Sequence, residues 1–257
     1  MVVWDAQGRR PMSTESEADY GRGIWNVWLW IAIGLIFWGL SFFSSSGPRS
    51  PYWASELLLY ALMLVGMWAN RKHQLSKRIR VPKPLAPLAY VFLVWLFGML
   101  FELSLTVTGE GVGGMHSETW PSFILAQGDY ILIAVVSYLV IRRTHAGFRD
   151  TFFFAGGMSL TEGLIFTGVL SSLIVSPLFW LAPLGLAYYT LAYASFVALP
   201  LLFIDGELLW KNSLQPKKRT ILFYWALGFG LAFAIRLFWG LLYGPFVTQL
   251  FRLPPGP

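Results

Sequence analysis

Seven long apolar stretches constrain the fold of this chain more than any other feature of its sequence. Polar residues or Pro and Gly bound each stretch, for example at residues 44–48 and 82–84. A helix needs about 20 mostly apolar residues to cross the hydrocarbon core of a bilayer. The stretches are too long for strands and do not alternate, so they predict transmembrane helices. They lie at roughly 23–43, 51–70, 85–107, 120–141, 151–175, 178–204 and 220–245.

The scarcity of charge supports the same interpretation. Only 12% of the 257 residues are charged and the mean hydropathy is +0.58, whereas a typical soluble domain is about 25% charged. So little charge cannot cover the surface of a water-soluble protein of 29.0 kDa. The absence of Cys excludes disulfides, thiolate metal sites and thiol nucleophiles. The predicted fold class is an all-α polytopic helical membrane protein with about seven transmembrane helices.

The distribution of basic residues predicts the orientation of these helices. Sixteen of the 19 Lys and Arg residues lie in the N-terminal segment and in the loops after the second, fourth and sixth stretches. Arg49 and Arg252 lie on the opposite side, and Arg236 lies inside the seventh stretch. By the positive-inside rule, the N-terminus is cytoplasmic and the C-terminus is outside.

This orientation divides the chain into a cytoplasmic N-terminal segment 1–22, a seven-helix transmembrane domain 23–245 and a short external tail 246–257. The first segment mixes both signs of charge and has no apolar core with a cleavage site, so no removable signal peptide is expected. The net charge of +6 follows from topology, so nucleic acid is not an expected partner. We expect a multi-pass protein of a plasma or inner membrane that contacts membrane lipids, with other membrane subunits as further candidate partners.

Four ionisable residues lie well inside the apolar stretches, and each is a functional hypothesis because charge in a membrane is costly. They are Glu102, Asp129, Glu162 and Arg236. By their positions along the stretches, all four fall between the midplane and the outer surface. At about 1.5 Å of rise per residue, their depths span on the order of 12 Å. They are therefore predicted to form one cluster.

The helical spacing of small residues supports this cluster. Each charged residue shares a predicted helix face with small or hydroxyl-bearing residues, a pattern typical of close helix packing rather than of contact with lipid. The predicted faces are Glu102 with Gly98 and Thr106, Asp129 with Ser122 and Ala126, Glu162 with Ala155 and Ser159, and Arg236 with Gly228, Ala232 and Gly240.

Three acids and one permanent cation suggest acid–base chemistry. Arg236 stays protonated, and one carboxylate is expected to pair with it. The other two acids cannot both stay ionised in a medium of low dielectric constant, so one is expected to be protonated. Glu102, Asp129 and Glu162 are the candidate catalytic residues, as general acids, proton relays or cation sites. The alternative is a structural ion pair with hydrogen-bonded acids that holds the helices together.

Arg236, Tyr188, Tyr189 and His116 are the candidate substrate-binding residues. The two tyrosines lie in the sixth stretch, where their hydroxyl groups need partners, so they can line the cavity or simply pack. His116 lies in a glycine-rich external loop at residues 109–119. That loop is interpreted as solvated, with a lid over the site as the alternative. One His beside two acids is too weak a pattern to predict a metal site.

Two further residues carry simpler expectations. Glu56 lies near the outer end of the second stretch and is expected to extend to the membrane interface. Trp38 lies deeper in the first stretch and is expected to pack against neighbouring helices or a ligand.

A weak internal similarity raises the question of a repeat. Residues 34–39 and 163–168 resemble each other, as do parts of the third and seventh stretches. Two parallel three-helix repeats joined by the fourth helix would explain both pairs. Chance is the alternative, since the chain is rich in the residues concerned.

Missing motifs narrow the function. No Lys lies inside a stretch, which excludes a retinal Schiff base, and His73, His116 and His145 all lie in loops, which excludes an intramembrane haem ligand pair. No HExxH, Walker A or paired Asp-rich motif is present, so the cofactor, if any, is unknown.

Three functional hypotheses follow. The first is an enzyme or binder that acts on a lipophilic molecule, such as a lipid or isoprenoid, by acid–base chemistry. The second is an accessory or structural subunit of a larger membrane complex. The third is a proton- or cation-linked transporter or channel, which is less favoured because the inner halves of the helices contain few polar residues beyond Asn26 and Asn70.

Overall fold

The structure is a computed structural model. It describes residues 26–44, 52–107, 119–166, 170, 174–177, 179–210, 219–243, 245, 246 and 249. Within these residues the regular secondary structure is helical and no strand occurs, which confirms the all-α prediction.

Eight α-helices form the described part of the chain. Short 3₁₀ turns follow or precede some of them, at Phe179–Leu181, Leu199–Leu202 and Gly206–Leu209. Two π turns extend helices α6 and α8, at Glu162–Phe166 and Trp239–Tyr243. The helices are α1 Val27–Ser44, α2 Tyr52–His73, α3 Leu75–Arg78, α4 Ala86–Val107, α5 Thr119–Thr144, α6 Phe148–Thr161, α7 Ala182–Val197 and α8 Ile221–Phe238.

Local sequence signals explain where several of these helices begin and end. The hydroxyl of Thr220 accepts a hydrogen bond from the backbone N–H of Phe223 (3.2 Å), which caps the start of α8. Pro183 lies in the first turn of α7, where its missing N–H has no cost. Pro200 follows that helix, and the chain changes there to a 3₁₀ turn. The sixth apolar stretch is thus a helix followed by a turn.

One described helix is long and apolar enough to cross a membrane. It is α8 together with its π turn, Ile221–Tyr243, which contains 23 residues. Val27–Leu40 and Ala86–Glu102 are shorter apolar helical segments.

Helix α6 occupies the centre of the bundle. It packs lengthwise against α8 on one side and α7 on another, while α7 packs against α1, and α4 packs against α5. Accordingly, the described side chains at positions 151–159 of α6 are all buried. A helix surrounded in this way needs apolar residues on every face, and three consecutive Phe residues, Phe152, Phe153 and Phe154, supply them.

The helix packing bears on the question of an internal repeat. Two equivalent repeats would pair α1 with α4 as α6 is paired with α8. Instead, the described part of α1 packs mainly along α7, and α4 packs along α5 and α2. The sequence similarity between residues 34–39 and 163–168 therefore has no counterpart in the helix contacts.

Glycines allow α6 and α8 to approach closely. A Cβ atom at Gly157 would collide with the backbone oxygen of Trp225, and one at Gly228 would collide with that of Phe154. Backbone-to-backbone contact of this kind is typical of small residues at helix interfaces in membranes. This close approach brings the C-terminal ends of α6 and α8 together.

Two features of side-chain burial are unusual for a soluble protein. Glu56, Glu102 and Asp129 are 0–1% exposed, although charged residues are almost never fully buried in soluble domains. Large apolar side chains instead face outward on five helices. They include Ile36 on α1, Val65 on α2, Leu88 and Phe92 on α4, Ile131 and Leu139 on α5, and Leu222 and Leu237 on α8.

Candidate functional site

Arg236 joins three helices through two carboxylates. It lies in the last turn of α8, and its Nε and Nη2 atoms donate hydrogen bonds to Oε2 of Glu162 at 3.1 and 2.7 Å. Its Nη1 atom lies 3.1 Å from Oδ2 of Asp129, on α5. The structure therefore brings together three of the four charged residues that the sequence singles out.

Two helix irregularities lie at this ion pair. Glu162 is the first residue of the π turn that extends α6, and the second π turn begins at Trp239, three residues after Arg236. π turns are often found at functional sites because they redirect side chains locally. The hydroxyl of Thr161 donates to the backbone oxygen of Phe229 (2.9 Å), which ties α6 to α8 beside the pair.

A small cavity lies next to the ion pair. Its volume is about 10 Å³, which is room for roughly one water molecule. The hydroxyl of Tyr193, on α7, lies at this cavity and donates to Oε2 of Glu162 (3.4 Å). The lining residues are Asp129, Ile133, Met158, Thr161, Glu162, Tyr193, Ala232, Ile235 and Arg236.

Asp129 is the unusual member of this group. Its side chain is 1% exposed, and neither carboxylate oxygen accepts a hydrogen bond from any described residue. The contact with Nη1 of Arg236 has the distance of an ion pair but not the angles of a hydrogen bond. Buried polar atoms are nearly always hydrogen-bonded, so Asp129 has unused capacity to bind a hydrogen-bond donor or a proton.

Glu102 lies in an adjoining polar group rather than at the cavity. It is fully buried and accepts a hydrogen bond from the hydroxyl of Tyr130 (3.0 Å). The Tyr130 ring packs against Gly98 and against Phe196, which also contacts Tyr193. The predicted cluster of four is therefore a group of three, with Glu102 connected to it through aromatic side chains.

The predicted helix faces are largely confirmed. Gly98, Ala126, Ala155, Ser159, Gly228 and Ala232 are all buried. The prediction is wrong for Gly240, which is exposed, because the π turn that begins at Trp239 has more residues per turn than an α-helix and moves Gly240 off the stripe. The side chains of Thr106 and Ser122 lie outside the described residues.

Glu56 forms a second buried polar site, and the prediction that it extends to the interface is wrong. Its side chain is 0% exposed and accepts hydrogen bonds from Nε1 of Trp38 (2.8 Å) and from the hydroxyl of Tyr188 (3.0 Å). These donors come from α1 and α7 and replace the water that an exposed carboxylate would bind. The signal for this contact in the sequence was that a Trp and a Tyr inside apolar stretches need acceptors for their N–H and O–H groups.

The structure separates the predicted substrate-binding residues. Arg236 lines the cavity, whereas Tyr188 contacts Glu56, and Tyr189 packs edge-on against Tyr188 with ring centroids 5.5 Å apart. Tyr193, one turn further along α7, lines the cavity instead. His116 and its loop lie outside the described residues.

The described residues contain no group of three or more His, Asp or Glu side chains arranged to hold a metal ion. Comparison of the chain with protein-family models, curated proteins and solved structures yielded no match.

Proposed function

We propose that the chain is a multi-pass integral membrane protein with about seven spans, a cytoplasmic N-terminus and an external C-terminus. The alternation of basic loops supports this topology. The outward apolar side chains of α1, α2, α4, α5 and α8 support it too, since a soluble protein rarely exposes so many. On this topology, the Arg236 cluster lies within the membrane, in its outer half.

The protein, in this proposal, binds or transforms a lipophilic molecule by acid–base chemistry at the Arg236 cluster. The observation that carries the proposal is Asp129, a buried carboxyl group that faces a cavity and has no hydrogen-bond donor among the described residues. An unpaired buried polar group is unfavourable unless something binds to it. A ligand or an exchangeable proton fills that role.

Glu162 and Asp129 differ in how fully their negative charge is compensated. Glu162 receives two hydrogen bonds from Arg236 and one from Tyr193, so its negative charge is compensated. Asp129 lies at ion-pair distance from the same guanidinium (3.1 Å) but accepts no hydrogen bond from it. Two buried carboxylates beside one cation cannot both be ionised cheaply. Asp129 is therefore the acid that exchanges a proton, and Glu162 is the acid that holds Arg236 in place.

The size of the cavity defines how a lipophilic molecule would bind. About 10 Å³ admits one small polar group and not a carbon skeleton. The skeleton must then lie outside, against the apolar side chains of Ile165, Phe233 and Leu237, which are 39–46% exposed and flank Glu162 and Arg236 in the sequence. The Arg236 and Glu162 side chains are themselves 10% and 17% exposed, so the cluster reaches the surface.

Native mass spectrometry of the purified full chain tests this proposal. The wild-type protein is expected to retain a lipophilic molecule that an Asp129→Asn variant loses, while a Glu56→Gln variant, which changes a buried acid away from the cavity, retains it. Once the molecule is identified, Asp129→Asn is expected to abolish its turnover. Equal retention by the wild-type and Asp129→Asn proteins would contradict the proposal.

An accessory subunit is the second candidate function. The observation that favours it is the link formed by Glu162 and Arg236 between the tightly packed helices α6 and α8, which would serve structure alone. Purification from native membranes at low detergent distinguishes the two. Stoichiometric co-purification of other subunits, with no lipophilic molecule at the cluster, would favour the accessory role.

A further inference from the structure

The cavity beside Asp129 also indicates the chemical class of the molecule that binds there. We infer that it is a hydroxyl-binding site and that its ligand is a lipophilic alcohol. This inference rests on the proposed function and adds the identity of the group that enters the cavity.

The free acceptor atoms in the cavity require a ligand that donates a hydrogen bond. Both oxygens of Asp129 are acceptors without a donor among the described residues. The hydroxyl groups of Thr161 and Tyr193 already donate elsewhere, to the backbone of Phe229 and to Glu162. A ligand that offered only an ether or ketone oxygen would leave the acidic oxygens of Asp129 unsatisfied in its ionised form.

The charges around the cavity favour a neutral donor. With Asp129 protonated, as proposed above, the charges of Arg236 and Glu162 cancel, so an ammonium would meet the guanidinium, whose Nη1 atom lies 3.1 Å from Oδ2 of Asp129, without a free carboxylate to offset it. An anionic group would meet the carboxylate of Glu162. At these distances like charges repel strongly in a medium of low dielectric constant.

A hydroxyl group satisfies Asp129 in both of its protonation states. It donates to the ionised carboxylate and accepts from the protonated acid. A ketone can only accept, and an amide, which both donates and accepts, is larger than the space beside Asp129. A hydroxyl is also close to water in size, and the cavity holds about one water.

The walls of the cavity suit the carbon that carries the hydroxyl. Apart from the polar groups, they consist of apolar side chains from three helices, which are Ile133 on α5, Met158 on α6, and Ala232 and Ile235 on α8. Such a site combines one strong polar anchor with an apolar surround, as small-molecule sites commonly do. A long-chain or isoprenoid alcohol has this form.

Photoaffinity labelling of the full chain in nanodiscs tests the inference. Three probes share one long alkyl chain with a diazirine and differ at the end, which is a primary alcohol, its methyl ether or a primary amine. The alcohol is expected to label α5, α6 or α8 saturably and about tenfold more strongly than the ether, because the ether cannot donate to Asp129. The amine is expected to label as weakly as the ether.

Two variants show whether the alcohol probe binds at Asp129. The Asp129→Leu variant is expected to be labelled equally by the alcohol and the ether, while the Glu56→Gln variant still prefers the alcohol. If Asp129→Leu does not fold, the comparison of the three probes on the wild-type protein still tests the inference. Equal labelling by alcohol and ether, or stronger labelling by the amine, would overturn the hydroxyl inference and leave a lipophilic ligand in place. No saturable labelling of these helices by any probe would overturn both the inference and the proposed function.

Discussion

At the scale of single residues, the protein is defined by a few buried charges and the donors that reach them. Arg236 serves two carboxylates, Glu56 receives a Trp and a Tyr donor, and Glu102 receives one from Tyr130. Breaking a buried pair is costly because the remaining charge has no compensation. Removing the cation or a donor that serves one of these carboxylates should therefore have a large effect on stability.

Replacing Arg236 by Met is expected to destabilise the protein by about 3–5 kcal/mol, because Asp129 and Glu162 would be left buried without a cation. Arg236→Lys is expected to lie between Met and the wild type, since an ammonium cannot donate from two fixed nitrogens to Glu162. Equilibrium unfolding in mixed micelles measures both. The exposed Arg71 is a matched control, and Arg71→Met is expected to change stability by less than about 0.5 kcal/mol. A fully stable Arg236→Met protein would show that the ion pair is dispensable.

Tyr188→Phe is expected to destabilise the protein by about 1–3 kcal/mol, because the buried carboxylate of Glu56 would lose one of its two observed donors. The same unfolding assay measures this change. Tyr138→Phe, which keeps the ring that Arg142 contacts, is the control and is expected to be nearly neutral. A double-mutant cycle with Glu56→Gln should show coupling between Tyr188 and Glu56, and additive effects would argue against the hydrogen bond.

At the scale of elements, the contact between α6 and α8 determines the site. Their glycines allow the backbones to touch, and the hydrogen bond from Thr161 fixes how far one helix slides along the other. Glu162, at the start of the π turn that extends α6, then meets Arg236 in the last turn of α8. The site therefore depends on residues up to about two turns away from it.

A Gly228→Ala substitution is expected to cost about 1–3 kcal/mol or more, because the added methyl group would collide with the backbone oxygen of Phe154. It should also weaken any ligand retention by shifting Arg236 relative to Glu162. Gly230, two residues further on, is the matched control because a Cβ atom there meets nothing within 4 Å. Gly230→Ala is expected to be neutral or slightly stabilising. Equal effects of the two substitutions would show that close packing at Gly228 is unimportant.

At the scale of the whole molecule, a few charged side chains are buried between the helices, and many large apolar side chains face outward. This arrangement is stable when the surrounding medium is lipid, where only helices or closed barrels satisfy their own backbone. Burial in the bundle then protects the few charged groups from the hydrocarbon. The proposed seven-span topology is the arrangement that accounts for both observations.

The absence of Cys makes this topology directly testable. Lys83→Cys, in the basic loop after α2, is expected to react with a membrane-impermeant maleimide only after the cells are permeabilised. His116→Cys, in the proposed external loop, is expected to react in intact cells. Labelling of both in intact cells, or of neither, would contradict the proposed orientation.

The sequence by itself determined the helical class, the approximate positions of most helices and the burial of Glu102 and Asp129, whereas it wrongly placed Glu56 at the membrane interface. Long apolar runs and isolated charges leave few alternatives, because a helix is the simplest way to satisfy the backbone and a buried charge needs small neighbours. Glu102, Asp129, Glu162 and Arg236 were identified in this way. Their chemical roles were not, since a list of buried charges does not state which of them touch.

Only the tertiary structure decided the partners, because these contacts join residues far apart in the chain and depend on angles that spacing does not encode. It assigned Asp129 and Glu162 to Arg236, Glu102 to Tyr130, and Tyr188 to the buried Glu56. It also showed that a π turn moves Gly240 away from the predicted face of small residues on α8. Helical periodicity predicts which face a residue occupies, but the packing of several helices determines what meets that face.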